Sequence, residues 1–112
     1  MILLTGSAGY IGSHISFILE RQKAKYLGVD NFSKSSYKNI INKKNFFKTD
    51  YGNIKNINKI LSKQAVKTVI HSAAFAYVLE GEKKKKIYYL NNVEKSKRFI
   101  DICIKNNVRN FI

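Results

Sequence analysis

The 112-residue chain contains no proline, no tryptophan and a single cysteine, Cys103. One cysteine cannot form an internal disulfide, which excludes a disulfide-stabilised scaffold, and a free thiol on the apolar side of a helix is expected to be buried. No apolar run approaches the roughly 20 residues that a membrane-spanning helix needs. Residues 1–4 are too short for the apolar core of a signal peptide. We therefore expect a cytoplasmic chain without a membrane partner.

Acidic residues are also scarce, with seven Asp and Glu against 21 Lys and Arg, and the formal net charge is +14. Such an excess could indicate a nucleic-acid partner if the charges were clustered. The lysines are instead spread over the chain, and the one dense run, residues 83–86, is interpreted as a solvated helix entrance, with an anion site as the alternative. Nucleic acid is therefore not expected as a partner.

Short apolar runs alternate with amphipathic stretches, a pattern typical of βα units around a parallel sheet. The pattern predicts five strands, at residues 1–4, 26–29, 46–48, 68–71 and 110–112. It also predicts four helices: the first from Tyr10, a weaker second with a loop within residues 33–42, a third at residues 54–61, and a fourth within residues 89–104. The predicted fold class is α/β with a doubly wound parallel sheet. Because the fifth strand coincides with the end of the chain, we expect this domain to be incomplete at its C-terminus.

Three glycines follow the first predicted strand at a spacing of three: Gly6, Gly9 and Gly12. In such a loop the first glycine permits a tight turn, the second lets the backbone approach a pyrophosphate, and the third lets helix and strand pack closely. The N-terminus of the following helix attracts the negative charge. The position between a strand and a helix indicates a Rossmann-type dinucleotide-binding domain spanning residues 1–112.

Asp30 supplies the second half of this pattern, since it ends the second predicted strand 18 residues after Gly12. A carboxylate there binds the hydroxyls of the adenosine ribose and repels a 2′-phosphate, so the predicted cofactor is NAD and not NADP. The alternative is a surface aspartate that starts a turn.

Four segments and one aspartate carry a closer resemblance: TGSAGYIGSH at residues 5–14, DNFSKSS at 30–36, Asp50 after the third predicted strand, VIHSAA at 69–74 and YYLNNV at 88–93. In this order and spacing they resemble the nucleotide-sugar epimerases of the extended short-chain dehydrogenase family, and among these most closely the UDP-glucose 4-epimerase family. The resemblance covers the whole chain but only the N-terminal part of such an enzyme.

The resemblance implies a set of NAD-contacting residues. The pyrophosphate would be contacted by the glycine loop with Tyr10 and Ile11, and the adenosine ribose by Asp30, Asn31, Ser33 and Ser35. Asp50 and Tyr51 would contact the adenine, whose exocyclic amine a carboxylate can accept. The nicotinamide-side groove would be lined by Ser72, Ala73, Ala74, Phe75 and Ala76, and Asn91 would reach the cofactor from the last helix.

The chain departs from the family pattern at Ala76, where a lysine is common, at Lys85, where proline is frequent, and at Leu90, which replaces an aspartate. The family's catalytic Ser or Thr and its Tyr-x-x-x-Lys pair are expected after Ile112, so no catalytic residue is assigned. The match formed by Tyr51 and Lys55 is interpreted as a chance occurrence.

The two histidines, His14 and His71, are not accompanied by a cluster of carboxylates, so no metal site is expected and His71 is interpreted as a structural residue.

The resemblance therefore implies the NAD-binding part of an enzyme that interconverts UDP-glucose and UDP-galactose in galactose metabolism. A nucleotide-sugar substrate would bind only with the rest of such an enzyme, whose members are often homodimers. The alternatives are a related nucleotide-sugar dehydratase, and a truncated, non-catalytic remnant whose basic surface binds anionic partners.

Overall fold

Five parallel strands form one sheet in the computed structural model, which describes residues 1–112. The strands are β1 (Ile2–Thr5), β2 (Tyr26–Asp30), β3 (Phe46–Lys48), β4 (Thr68–His71) and β5 (Asn110–Phe111). Their order across the sheet is β3-β2-β1-β4-β5, and every neighbouring pair is parallel. The five strands predicted from the sequence are confirmed, each bound lying within one residue of the expectation.

The helices are α1 (Tyr10–Arg21), α2 (Ile54–Gln64), α3 (Val78–Lys83), α4 (Lys85–Tyr89) and α5 (Lys95–Lys105). A π-helical turn, Leu90–Glu94, joins α4 to α5, and the residues at both junctions keep right-handed helical dihedral angles. These three pieces form one continuous helix, which is the fourth predicted helix with an earlier start. None of the helices has the length and apolar character needed to cross a membrane.

The loop predicted within residues 33–42 is confirmed, but the weaker helix predicted with it does not form, and that part of the prediction is wrong. The segment is a loop with one 3-10 turn, Tyr37–Asn39, followed by a second such turn, Lys43–Asn45. Asn31 Oδ1 accepts a hydrogen bond from the Ser33 amide at 2.9 Å, and Ser36 caps the first turn. Such local bonds between side chains and backbone compete with helix formation. The short helix α3, which the apolar pattern did not indicate, brings the number of helical segments back to four.

The helices cover both faces of the sheet because the strand order reverses direction between β1 and β4. The right-handed crossover from β1 to β2 places α1 on one face of the sheet. The crossovers from β3 to β4 and from β4 to β5 run in the opposite direction, so they place α2 and α5 on the other face. The larger core lies under α2 and α5, where Leu3, Val69 and Phe99 are fully buried. Leu4 points to the opposite face, since side chains alternate along a strand, and is equally buried.

Cys103 belongs to the larger core and is 2% exposed. Burial raises the pKa of its thiol to about 12, so the reactive thiolate is scarce at neutral pH. The prediction of a buried thiol is confirmed. The lysine run at residues 83–86 is exposed around the junction of α3 and α4, as expected of a solvated helix entrance.

Candidate cofactor-binding site

A pocket of about 360 Å³ lies at the carboxyl ends of the central strands. It sits where the strand order reverses, which is where open α/β sheets bind their ligands. Sixteen of the seventeen residues that the sequence predicted line it: Gly6, Gly9, Tyr10, Ile11, Gly12, Asp30, Asn31, Ser33, Ser35, Tyr51, Ser72, Ala73, Ala74, Phe75, Ala76 and Asn91. The wall also contains Thr5, Val29, Lys34, Thr49 and Tyr77, which were not predicted.

The glycine loop forms the floor of the pocket, and its backbone leaves no room for a side chain at Gly6 or Gly12. Gly6 has a φ of +66°, a conformation that residues with a side chain rarely adopt. A Cβ at Gly12 would lie 2.0 Å from the carbonyl oxygen of Gly6. Glycine at these positions therefore lets α1 start directly against the loop.

The N-terminus of α1 opens into this pocket, and it has no capping or acidic side chain to neutralise its partial positive charge. Gly9 precedes the helix and offers no side-chain cap, and the first turn contains no acidic residue. The first backbone N–H groups of a helix have no partner within the helix, and the helix dipole places positive charge there. The loop can therefore hold an anion such as a pyrophosphate.

Asp30 is 8% exposed and anchors the wall next to the glycine loop. Its Oδ2 accepts a hydrogen bond from the Ala8 amide at 3.0 Å, and its Oδ1 accepts one from the Phe32 amide at 2.8 Å and one from the Ser35 hydroxyl at 2.7 Å. These bonds fix the carboxylate and leave Oδ2 able to accept one more. The remaining acceptor site can take a ribose hydroxyl.

Asp50 is the one predicted residue that does not line the pocket. Its Oδ2 accepts hydrogen bonds from Asn31 Nδ2 at 2.6 Å and from Lys95 Nζ at 3.0 Å, and its Oδ1 accepts one from the Gly52 amide at 2.6 Å. Burial by itself would raise the pKa of Asp50, but these donors hold it below its ordinary value. The carboxylate is thus ionised and already bonded to groups of the chain itself.

Tyr51 faces inward from the loop after β3 and is 5% exposed. Its ring packs edge-on against Phe99 and His71, and its hydroxyl donates to the carbonyl of Asn91 in the π-helical turn. Burial raises the pKa of Tyr51, while Lys55 is exposed on α2. These contacts support the interpretation of the Tyr51 and Lys55 match as a chance occurrence.

The segment after β4 forms the wall opposite Asp30. Ser72 Oγ donates to the Thr5 carbonyl at 2.7 Å. Asn92 binds Phe75 twice, accepting from its amide at 2.9 Å and donating to its carbonyl at 2.8 Å. The π-helical turn thus holds this wall in place through Asn92. The pair of neighbouring asparagines in the sequence was the available signal for the role of Asn92, although only Asn91 was predicted as a site residue.

Lys34 is a pocket residue that sequence reasoning missed. Its Nζ lies 2.6 Å from Glu80 Oε2 and stands over the rings of Phe75 and Tyr77 at 5.6 and 5.1 Å. The lysines paired with Glu80 hold the pKa of that carboxyl at about 2. Lys34 therefore joins the loop after β2 to the segment around α3. In a chain with 21 basic residues, no sequence signal separates it from the other lysines.

His71 has both ring nitrogens close to hydroxyl groups: Nδ1 lies 2.7 Å from Thr5 Oγ1, and Nε2 lies 3.3 Å from Ser96 Oγ. No group of three or more His, Cys, Asp or Glu side chains could hold a metal ion. The geometry gives His71 a structural role at the end of β4, in agreement with the interpretation from sequence.

Burial lowers the pKa of His71 below its ordinary value. We expect the free energy of unfolding to fall as the pH decreases below about 6.5, because the unfolded histidine takes up a proton that the buried ring does not. One such histidine changes the free energy of unfolding by at most about 1.4 kcal/mol per pH unit. Urea unfolding of the unmodified chain and of His71→Gln, at several pH values between about 5 and 7, measures it.

The exposed His14 provides the matched control, since His14→Gln should keep the pH dependence of the unmodified chain. A His71→Gln variant whose unfolding free energy changes with pH as much as that of the unmodified chain would contradict this assignment.

The sequence profile of the NAD dependent epimerase/dehydratase family matches residues 2–112. "Bifunctional protein GAL10" of Candida maltosa is 35% identical over 120 aligned positions that include the whole chain and 78% of that protein. "UDP-glucose 4-epimerase" of Caenorhabditis elegans is 32% identical over 99% of the chain and 36% of that protein.

Among solved structures, UDP-glucose 4-epimerase from Brucella ovis in complex with NAD superimposes with a TM-score of 0.91 and 31% identity. The match covers 98% of the chain and 34% of that structure. The chain therefore spans about a third of the length of the nematode and Brucella proteins, and about three quarters of the Candida protein.

Proposed function

Because the chain belongs to the NAD dependent epimerase/dehydratase family, we propose that residues 1–112 bind NAD as the N-terminal domain of an enzyme like UDP-glucose 4-epimerase. The observation that carries the proposal is that the glycine loop and Asp30 lie side by side in the wall of one pocket at the carboxyl end of the sheet. The NAD bound to the Brucella ovis structure supports the choice of cofactor.

The residues present fit this cofactor. The uncapped start of α1 lines the pocket, so the backbone amides around Tyr10 and Ile11 would hold the pyrophosphate. Asp30, with Ser33 and Ser35 beside it, would hold the adenosine ribose through its free acceptor site on Oδ2. Ser72, Ala73, Ala74 and Phe75 would line the nicotinamide side, and Asn91 would close the pocket from the π-helical turn.

We propose interconversion of UDP-glucose and UDP-galactose as the reaction of the whole enzyme, in galactose metabolism, in the cytoplasm and as a homodimer. Bound NAD supplies hydride transfer, and the fold positions it. The contribution of residues 1–112 is to bind and orient that cofactor. No catalytic acid or base is assigned here, because the Tyr51 hydroxyl is bonded to Asn91 and the His71 ring lies against Thr5 and Ser96.

Isothermal titration with NAD and with NADP tests the proposal. We expect one site per chain for NAD, and binding of NADP weaker by at least about tenfold, because its 2′-phosphate would meet the buried carboxylate of Asp30. Absence of heat at millimolar NAD would contradict cofactor binding. Equal affinity for the two dinucleotides would contradict the role given to Asp30.

A further inference from the structure

The base of a bound dinucleotide would lie at the β3 side of the pocket. The pyrophosphate belongs at the glycine loop and the ribose at Asp30, so the base continues toward the ends of β2 and β3. Asn31, Thr49 and Tyr51 line the pocket there, with Asp50 directly behind Asn31. Asp50 carries a carboxylate at this end that could accept a hydrogen bond from an exocyclic amine.

The oxygen of Asp50 on the pocket side already has two donors. Oδ2 accepts from Asn31, which lines the pocket, and from Lys95, whereas Oδ1 is turned to the backbone amide of Gly52. An oxygen of a carboxylate has two lone pairs, so Oδ2 is saturated. An amine on the base could reach it only by displacing one of these two donors.

Lys95 is held in this position from several sides. Its Nζ also donates to Asn91 Oδ1 at 2.9 Å and stands 5.3 Å above the centre of the Tyr51 ring. Its aliphatic part fills the space over Gly52, where a Cβ would lie 2.4 Å from Lys95 Cγ. The glycine therefore makes room for this lysine, and the ammonium lies between Asp50 and Asn91 at the back of the base site.

We propose that Lys95 takes the place at Asp50 that the exocyclic amine of the base would otherwise take, so that the pocket does not select for that amine. This inference rests on the proposed binding of NAD. A charged donor bonds a carboxylate more strongly than a neutral amine does, so displacement of Lys95 by adenine gains nothing. A dinucleotide whose base lacks the amine should then bind about as well as NAD.

The probe is nicotinamide hypoxanthine dinucleotide, which differs from NAD by an oxygen in place of the adenine amine. We expect its Kd for the unmodified 112-residue chain to lie within about threefold of that of NAD. In Lys95→Met the vacated lone pair of Asp50 would accept the adenine amine and repel the hypoxanthine oxygen. The ratio of the two Kd values, measured by isothermal titration, should therefore rise to about tenfold or more.

Lys97→Met is the matched control, because Lys97 is exposed on the same helix and its nearest carboxylate oxygen, on Glu94, is 3.9 Å away. It should leave the ratio unchanged. Lys95→Gln, which keeps a neutral donor at this position, gives a second measurement if Lys95→Met does not fold, and should raise the ratio by a smaller factor.

Two results would overturn the inference while leaving the proposed function intact: discrimination of tenfold or more by the unmodified chain, or an unchanged ratio in both Lys95 variants. Failure of the unmodified chain to bind either dinucleotide would instead overturn the proposed function, and this inference with it.

Discussion

Gly12→Ala is expected to remove NAD binding and to destabilise the fold. The added Cβ would lie 2.0 Å from the Gly6 carbonyl oxygen and 2.9 Å from Ser7 Cα, and neither backbone atom can rotate away. The start of α1 must then separate from the glycine loop, which removes the site proposed for the pyrophosphate. We expect the free energy of unfolding to fall by roughly 3 kcal/mol and the Kd for NAD to rise at least about a hundredfold.

Gly81→Ala is the control for this substitution. A Cβ at Gly81 would meet only side-chain atoms, those of the Tyr88 ring at 3.1 Å or more, and alanine is the better helix former in α3. Urea unfolding of both variants measures the free energy of unfolding, and calorimetric titration measures the Kd for NAD. A Gly12→Ala protein that is as stable as the Gly81→Ala protein, and that binds NAD equally well, would show that the loop needs no close contact with α1.

Asp30→Ala should have the second largest effect. The substitution leaves the buried amide of Ala8 and the amide of Phe32 without their acceptor, and each unpaired buried donor costs about 1 to 3 kcal/mol. It also removes the acceptor proposed for the ribose hydroxyls. We expect the free energy of unfolding to fall by roughly 2 to 4 kcal/mol and the Kd for NAD to rise by at least about a hundredfold.

Asp101→Ala removes the same charge from an exposed position on α5 and should leave both quantities close to those of the unmodified chain. This comparison separates the effect of losing the hydrogen bonds of Asp30 from the effect of the change in net charge. If NAD bound to Asp30→Ala and to Asp101→Ala with the same Kd, the ribose contact assigned to Asp30 would be wrong.

Most of the fold could be predicted because the signals that define it are local. The apolar runs of β1 and β4 and the stripe of Ile54, Ile57 and Ile60 depend on neighbours within a few residues. The helix predicted within residues 33–42 failed for an equally local reason, since the Asn31 and Ser36 side chains bond to the backbone there. Capping bonds that occupy backbone amides outweighed a weak apolar pattern.

The pocket was predictable from motifs, but its polar network was not. The glycine spacing and Asp30 define the loop and the ribose end without knowledge of tertiary contacts. The lysine partner of Asp50 is 45 positions away in the sequence, and one of the two lysines paired with Glu80 is 46 positions away. In so lysine-rich a chain, sequence alone cannot show which lysine reaches which carboxylate. The tertiary fold determines these pairs. Asp50, which the sequence predicted as a contact of the base, is bonded to Lys95 instead.

The most direct test of NAD binding in this pocket is an NMR titration of the 112-residue chain with NAD, followed through its backbone amide resonances. We predict saturable shifts confined to the pocket, in the glycine loop at residues 6–12, in residues 30–35 and in residues 72–75. Amides on the exposed side of α2, such as those of Lys55 and Lys59, should not move. Unchanged pocket resonances at millimolar NAD, or shifts spread over the surface lysines, would contradict the claim that this pocket is the NAD site.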